Sequence, residues 1–229
     1  MSSKRQQRPR PELTIKVYPA TLKKLQVLQK LRKTNALILN VRENIAGNVI
    51  KTSFPFITFK RISSSAKLPE NLKLDGDPLS DFFITLKEYR VDRSGSRSSA
   101  SGSPISTRSG FVILAFKVTD DDKTHYYDRT WEQWSGAASI CTQLSRKYAL
   151  RKVACYKGVN VVPDVFKYVV LIEFIMEDDQ NEVYARDCMQ KFRIGRMSGY
   201  AALYKDFHTK DIDKAIQVES DSTEDDGLG

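Results

Sequence analysis

FVILAFKVT, residues 111–119, is an apolar run of β-branched and aromatic residues, a composition typical of a buried strand. The following segment changes period: residues 130–152, TWEQWSGAASICTQLSRKYALRK, carry apolar side chains three or four positions apart, as on one face of a helix. Residues 153–162, VACYKGVNVV, return to the strand pattern. Strand, helix and returning strand predict a domain in which a helix packs on a sheet.

The helix is predicted over residues 128–152. Thr130 to Gln133 has the pattern of a capping box at its start. Its predicted buried stripe contains Trp131, Trp134, Ala138, Cys141, Leu144 and Tyr148. Cations suit the C-terminal end of a helix, and the basic link there contains Arg146, Lys147, Arg151 and Lys152. This link is either a solvated helix end or a surface that faces a polyanion.

Further strands are predicted on both sides of this segment. They cover residues 36–41, 48–62, 81–91, 150–162, 165–178 and 182–195. Pro55 indicates an edge strand or a bulge within the second of these. Short helices are predicted at residues 198–206 and 211–218, and the sequence shows no internal repeat.

Charge is concentrated at the two ends of this chain of 229 residues with net charge +9. Residues 1–33 hold ten Lys and Arg against one acidic residue, whereas residues 219–229 hold five acidic residues and no base. We therefore predict a disordered basic arm at 1–20, one domain at 21–218 and a disordered acidic tail at 219–229. Charged ends of this kind are usually interaction segments. The cations of the arm are Lys4, Arg5, Arg8 and Arg10.

A helix that begins near Thr21 carries leucines at every third position and a second group of cations. Three interpretations remain open for it: docking on the core or on another subunit, lying on a membrane surface, or contacting nucleic acid. Its cations are Lys23, Lys24, Lys30, Arg32 and Lys33.

Residues 93–110, RSGSRSSASGSPISTRSG, separate two apolar runs and contain almost nothing to bury. We predict a mobile loop between neighbouring strands. It is either a tolerated hairpin insertion or a regulatory site, because serines beside Arg93 and Arg97 suit basophilic kinases and phosphates would reverse the local charge. The candidate serines are Ser96, Ser98 and Ser99.

Catalytic patterns are missing from the sequence. The two histidines, His125 and His208, lie in unrelated contexts, and no phosphate loop or nucleophile elbow occurs. The cysteines Cys141, Cys155 and Cys188 contain no CxxC, which favours reduced thiols over a zinc site. The sequence therefore predicts no catalytic, cofactor or metal site, and no enzyme. It also shows no signal peptide and no apolar run long enough to span a bilayer.

The order of elements across residues 111–162 resembles the central part of rhabdovirus matrix proteins, and the resemblance extends over residues 80–175. The basic N-terminus and acidic C-terminus are most similar to those of plant nucleorhabdovirus members. Two features depart from the family: Arg8 to Pro11 and Tyr18-Pro19 do not form a PPxY motif, and the Ser/Gly-rich segment is not expected in the family core.

The resemblance implies an α+β fold, a twisted antiparallel sheet packed with helices, and a non-enzymatic structural protein of the virion. Such a protein self-associates, condenses the nucleocapsid or its RNA, and bridges it to the inner face of an anionic membrane beneath the envelope. It implies the host nucleus and cytoplasm as further locations, with importin as a partner for Lys4-Arg5 and for Lys30 to Lys33. The alternatives are a viral movement protein and a coat or nucleic-acid-binding protein.

Overall fold

The structure, a computed structural model, describes residues 12–18, 37–41, 44–45, 48–49, 56–62, 82–91, 108–117, 124–159, 166–176, 179–196 and 199–206. The strands in these ranges are β1 Leu13–Tyr18, β2 Leu37–Val41, β3 Asn44–Ile45, β4 Asn48–Val49, β5 Phe56–Arg61, β6 Phe82–Arg90, β7 Arg108–Phe116, β8 Leu150–Gly158, β9 Tyr168–Met176 and β10 Tyr200–Asp206. The helices are α1 Thr124–Trp134, α2 Ala137–Leu144 and α3 Asp179–Gly195.

Eight of these strands form a closed antiparallel barrel in the order β1-β5-β2-β10-β7-β9-β8-β6, and β3 pairs only with β4 in a small separate sheet. The α+β class predicted from the sequence, with an antiparallel sheet packed against helices, is confirmed. The sheet is curled until its edge strands pair with each other, which removes the exposed edges of an open sheet.

The barrel is a duplication of one strand arrangement. β1, β2, β5 and β6 occur in the sheet order β6-β1-β5-β2, and β7 to β10 occur in the equivalent order β10-β7-β9-β8. This is the strand order of a ferredoxin-like βαββαβ unit. The two halves meet at two seams, β6 with β8 and β2 with β10. The repeat that the sequence did not reveal is therefore present in the topology.

Neighbouring strands of the barrel run antiparallel, so four strands end where the other four begin. We call one end of the barrel the linker end. At this end β5, β6, β9 and β10 finish, and β1, β2, β7 and β8 start. Residues 92–107, which lie outside the described residues, connect β6 to β7 at this end. The prediction that the Ser/Gly-rich segment joins neighbouring strands is wrong. β8 and β9 lie between β6 and β7, so the segment joins the two halves, and Arg108 to Gly110 already belong to β7.

β7 shows how the sequence builds two cores. Phe111, Ile113 and Ala115 point into the barrel, where all eight strands contribute to one apolar cluster. Val112, Leu114 and Phe116 point outward and pack under the helices. Both faces of the strand are thus buried, which explains why its sequence is a continuous apolar run instead of an alternating one.

The helix predicted over residues 128–152 is two helices. Gly136, in the left-handed region with φ 76°, separates them. Thr130 does not cap α1 but lies inside it, and its Oγ1 donates to the carbonyl of Tyr126 at 2.7 Å. The break shifts the buried stripe of α2, so that Ala138 is exposed. The buried residues of α2 are Ala137, Ile140 and Leu144.

The types predicted for two elements are wrong. Residues 182–195, predicted as a strand, lie within α3, where Ala185, Cys188 and Met189 are buried at helical spacing. Residues 198–206, predicted as a short helix, contain β10. Here Ala202 and Tyr204 join the interior cluster while Leu203 joins the outer one, which is the alternation of a strand.

The boundary of the predicted disordered arm at 1–20 also changes, because residues 13–18 form β1 and pair with β5. Pro55, the helix predicted from Thr21, the helix predicted at 211–218 and the acidic tail lie outside the described residues. Among the helices in the described ranges, none is long and apolar enough to cross a membrane.

Candidate functional site at the linker end of the barrel

A β-bulge at the start of β8 brings two consecutive cations to the linker end. The register between β8 and β9 shifts between Leu150 and Lys152, so Arg151 is the additional residue. Neighbouring side chains of a regular strand point to opposite faces, but here Arg151 and Lys152 both contact carboxylates at this end. Bulges re-aim side chains and are over-represented beside active sites.

Glu88 of β6 lies between two cations. It pairs with Ala154, a residue of the interior core, and therefore faces into the barrel. Its Oε2 lies 2.9 Å from Nζ of Lys152, and Nε of Arg90 donates to its Oε1 at 2.5 Å. Burial raises the pKa of Glu88, but Lys152 and Arg90 outweigh burial and hold this pKa below its ordinary value.

A second carboxylate lies on the other side of β8. Glu173 of β9 pairs with the inward-facing Phe111. The hydroxyl of Ser109 donates to Oε1 of Glu173 at 3.2 Å. Nη1 of Arg151 donates to the same hydroxyl at 3.1 Å and lies 3.5 Å from Oε1 of Glu173.

Tyr156 lies below these charges in the barrel core and is 4% exposed. The Lys152 ammonium lies 6.0 Å from the centre of its ring, and the ring of Phe59 packs against it at 6.0 Å. Burial raises the pKa of Tyr156, although the charges of Lys152 and Arg61 oppose the increase. The phenol is therefore protonated at neutral pH and can donate a hydrogen bond toward the linker end.

Strand alternation adds two more charges at this end. Arg61 follows the inward residues Ile57 and Phe59 of β5, and Asp206 follows Ala202 and Tyr204 of β10. The resulting group is called here the rim cluster. It comprises four cations and three carboxylates: Arg61, Arg90, Arg151, Lys152, Glu88, Glu173 and Asp206.

The two seams of the barrel differ at corresponding positions. At the β6–β8 seam Arg90 is opposite Lys152, and Glu88 lies next to both. At the β2–β10 seam Asp206 occupies the position of Arg90, and Leu39 occupies the position of Lys152. The side chain of Leu39 is fully buried in the interior core. The charged network thus distinguishes one seam of a duplicated fold from the other.

The structure separates the four residues of the predicted basic link. Arg146 and Lys147 are exposed on the turn after α2, and Nζ of Lys147 lies 5.4 Å from the centre of the Tyr184 ring. Arg151 and Lys152 belong to β8 and to the rim cluster. The remaining predicted binding residues lie outside the described residues: Lys4, Arg5, Arg8, Arg10, Lys23, Lys24, Lys30, Arg32 and Lys33. The candidate phosphorylation sites Ser96, Ser98 and Ser99 lie outside them as well.

Of the rim cluster, sequence reasoning identified only Arg151 and Lys152; it missed Tyr156 and the other charged residues, which are Arg61, Arg90, Glu88, Glu173 and Asp206. The sequence contained one usable signal, because Tyr156 follows Lys152 and Ala154 at alternate positions of one predicted strand. The partners on β5, β6 and β9 are distant in sequence, so only the strand pairing brings them together.

The cysteines lie away from this site, in the outer core between sheet and helices. Burial and the nearby Glu132 raise the pKa of Cys141 to about 11, and burial raises the pKa of Cys155 still further. Both thiols are therefore protonated at neutral pH, and thiols are weak nucleophiles in that form.

Comparison with known proteins identifies a family. The family model described as "Domain of unknown function (DUF7153)" matches residues 49–206, more than half of the chain, so the chain belongs to this family. No curated protein matches the sequence of this chain.

Two solved structures are similar over most of the chain. A heme-degrading enzyme from Listeria monocytogenes is 11% identical with a TM-score of 0.37, and the match covers 86% of this chain and 99% of that one. An anthrone oxidase-like protein is 15% identical with a TM-score of 0.43, covering 87% of this chain and 93% of that one. Both TM-scores are below 0.5, too low to establish a shared fold.

Proposed function

We propose that this member of the DUF7153 family is a binding protein whose rim cluster holds the anionic group of a small organic molecule at the linker end of the barrel. The observation that carries the proposal is the inward-facing contact of Lys152 with Glu88, 2.9 Å long, above the phenol of Tyr156.

Energetic cost is the first support. Taking charges out of water costs free energy that a paired partner only partly restores, and the side chains of Lys152 and Glu88 are only 19% and 20% exposed. The fold does not require a cation at the position of Lys152, since Leu39 occupies the corresponding position of the other seam. Ionisable groups that converge at such a cost are typical of functional sites.

The sign of the charge favours an anion. Glu88 contacts two cations, Lys152 and Arg90. Their two positive charges exceed the single negative charge of Glu88. Arg61 acts on Tyr156 from the same end of the barrel. Mouths of β-barrels are common ligand sites, with apolar walls and a few convergent polar groups. Here the anionic group meets Lys152 at the mouth of the barrel, above the buried rings of Tyr156 and Phe59.

Calorimetry and thermal denaturation with small carboxylic acids, each paired with its neutral amide, test this function. We expect the acids to raise Tm by a few degrees at saturation and the amides to leave it unchanged. Lys152→Met removes the shift, whereas Lys147→Met, which removes an exposed cation after α2, retains it. Equal shifts for acids and amides, or equal losses in the two variants, contradict the proposal.

The matrix-type function expected from the sequence is a second proposal, and the adjacent exposed cations Arg146 and Lys147 favour it. Co-sedimentation with anionic liposomes and with RNA across a salt series tests it. A deletion of residues 1–33 would remove β1 from the barrel, so the informative variants lack residues 1–11 or carry Arg146→Gln and Lys147→Gln. We expect both changes to remove salt-sensitive binding, and unchanged binding contradicts this proposal.

A further inference from the structure

We propose, on the basis of the proposed anion-binding function, that the ligand carries two anionic groups, as in a short dicarboxylic acid, and that Lys152 and Arg151 each hold one of them.

The bulge turns two neighbouring cations into two separate anion positions. Lys152 contacts Glu88 on β6, whereas Arg151 contacts Glu173 on β9 and Ser109 on β7. β8 lies between β6 and β9 in the barrel, and adjacent strands are about 4.8 Å apart. The two cations therefore reach toward opposite sides of β8, as two separate anionic groups of one ligand require.

Both cations are positioned and retain donor capacity. An ammonium has three N–H donors and a guanidinium has five. Lys152 contacts Glu88 at 2.9 Å and hydrogen-bonds Tyr156, which leaves one N–H. Arg151 uses Nη1 for its contacts with Ser109 and Glu173. A ligand carboxylate can join each cation without displacing the glutamate that orients it.

A monoacid gains only one of these charge-assisted hydrogen bonds, whereas a diacid gains both without a second loss of translational freedom. We therefore expect glutarate to bind wild-type protein at least about tenfold more tightly than valerate, which has the same chain length, or monomethyl glutarate.

Isothermal titration of the full chain with these three compounds tests the inference. Arg151→Met abolishes the preference for glutarate, because the affinity for glutarate falls to that for valerate. Lys152→Met weakens binding of all three, and Arg146→Met, the matched exposed cation, changes nothing. Arg151→Lys keeps the positive charge and is expected to retain part of the preference. This variant distinguishes the loss of an anion position from a structural change in the bulge.

The outcomes separate the inference from the function on which it rests. If none of the three compounds binds to wild-type protein, the proposed function fails. If valerate and glutarate bind wild-type protein equally, or if Arg146→Met lowers the glutarate preference as much as Arg151→Met does, the function stands and the two-anion inference is wrong. A series from malonate to pimelate gives an affinity maximum at one chain length if the two positions are fixed, and a flat series contradicts the inference.

Discussion

The ammonium of Lys152 lies 2.9 Å from Oε2 of Glu88, and this contact crosses the seam between the two halves of the barrel. Arg90 holds the other oxygen of the same carboxylate. The backbone continues the connection, since the amide of Val91 donates to the carbonyl of Arg151 at 3.0 Å. The carboxylate of Glu88 therefore connects the two halves of the barrel at the bulge in β8, and it does so within the candidate site.

Replacement of Glu88 by Gln is expected to lower the free energy of unfolding at pH 7 by about 1–3 kcal/mol, because two cations lose a charged partner. The pKa of Glu88 is depressed below its ordinary value of 4.5 in the folded protein, so its stabilisation is complete above pH 4.5 and is lost as the pH falls through the lower, folded value. The difference between wild type and variant therefore shrinks as the pH falls below 4.5 and through the lower, folded pKa of Glu88. Urea unfolding at several pH values measures it, and a difference that stays constant with pH contradicts this assignment.

Gly136→Ala is expected to destabilise the junction of α1 and α2. Its φ of 76° disfavours any side chain, and a Cβ there would lie 2.6 Å from the Phe192 ring. The strain and the displaced ring predict a loss of at least about 1–2 kcal/mol in the free energy of unfolding. Gly195→Ala is the matched control, because its Cβ would have no atom within 4 Å and we expect little change. Similar losses in both variants would show that the conformation at Gly136 is not the cause.

The buried carboxylate of Glu182 on α3 contacts Lys205 of β10 and Arg186 of its own helix. Lys205→Met leaves this carboxylate undercompensated and is expected to cost about 3–5 kcal/mol. The double variant Lys205→Met with Glu182→Leu removes both charges and is expected to recover much of that loss. Denaturant unfolding of the single and double variants gives the coupling, and additive losses would mean that the two side chains do not stabilise each other.

Cleavage of the chain between the two halves is expected to leave the barrel assembled. A protease site inserted in the linker of residues 92–107 cuts between β6 and β7, yet β6 still pairs with β8 and β2 with β10, and the interior cluster draws residues from both halves. We expect the fragments to co-elute in gel filtration and to separate only in denaturant. An uncut protein carrying the same insertion is the control, and separation in native buffer contradicts the expectation.

The local sequence pattern predicted strands well where the residue composition favours only a strand. β6 and β9 were predicted to within a few residues because β-branched and aromatic residues bounded by turn residues favour strands in any sheet. The segment 182–206 was assigned wrongly because tertiary contacts override propensity there. Val183 is exposed and Glu182 is buried, a pattern that only packing of α3 on β10 explains.

The sequence by itself determined the α+β class, the position of most strands and the basic character of residues 146–152, because hydrophobic periodicity and charge are local properties. Only the tertiary structure decided that the strands close into a duplicated barrel, that the Ser/Gly-rich segment connects its halves, and that Arg151 and Lys152 meet Glu173 and Glu88. The physical reason is that pairing between distant strands and a one-residue bulge set which face each side chain occupies, and neither is encoded in the period of a single segment.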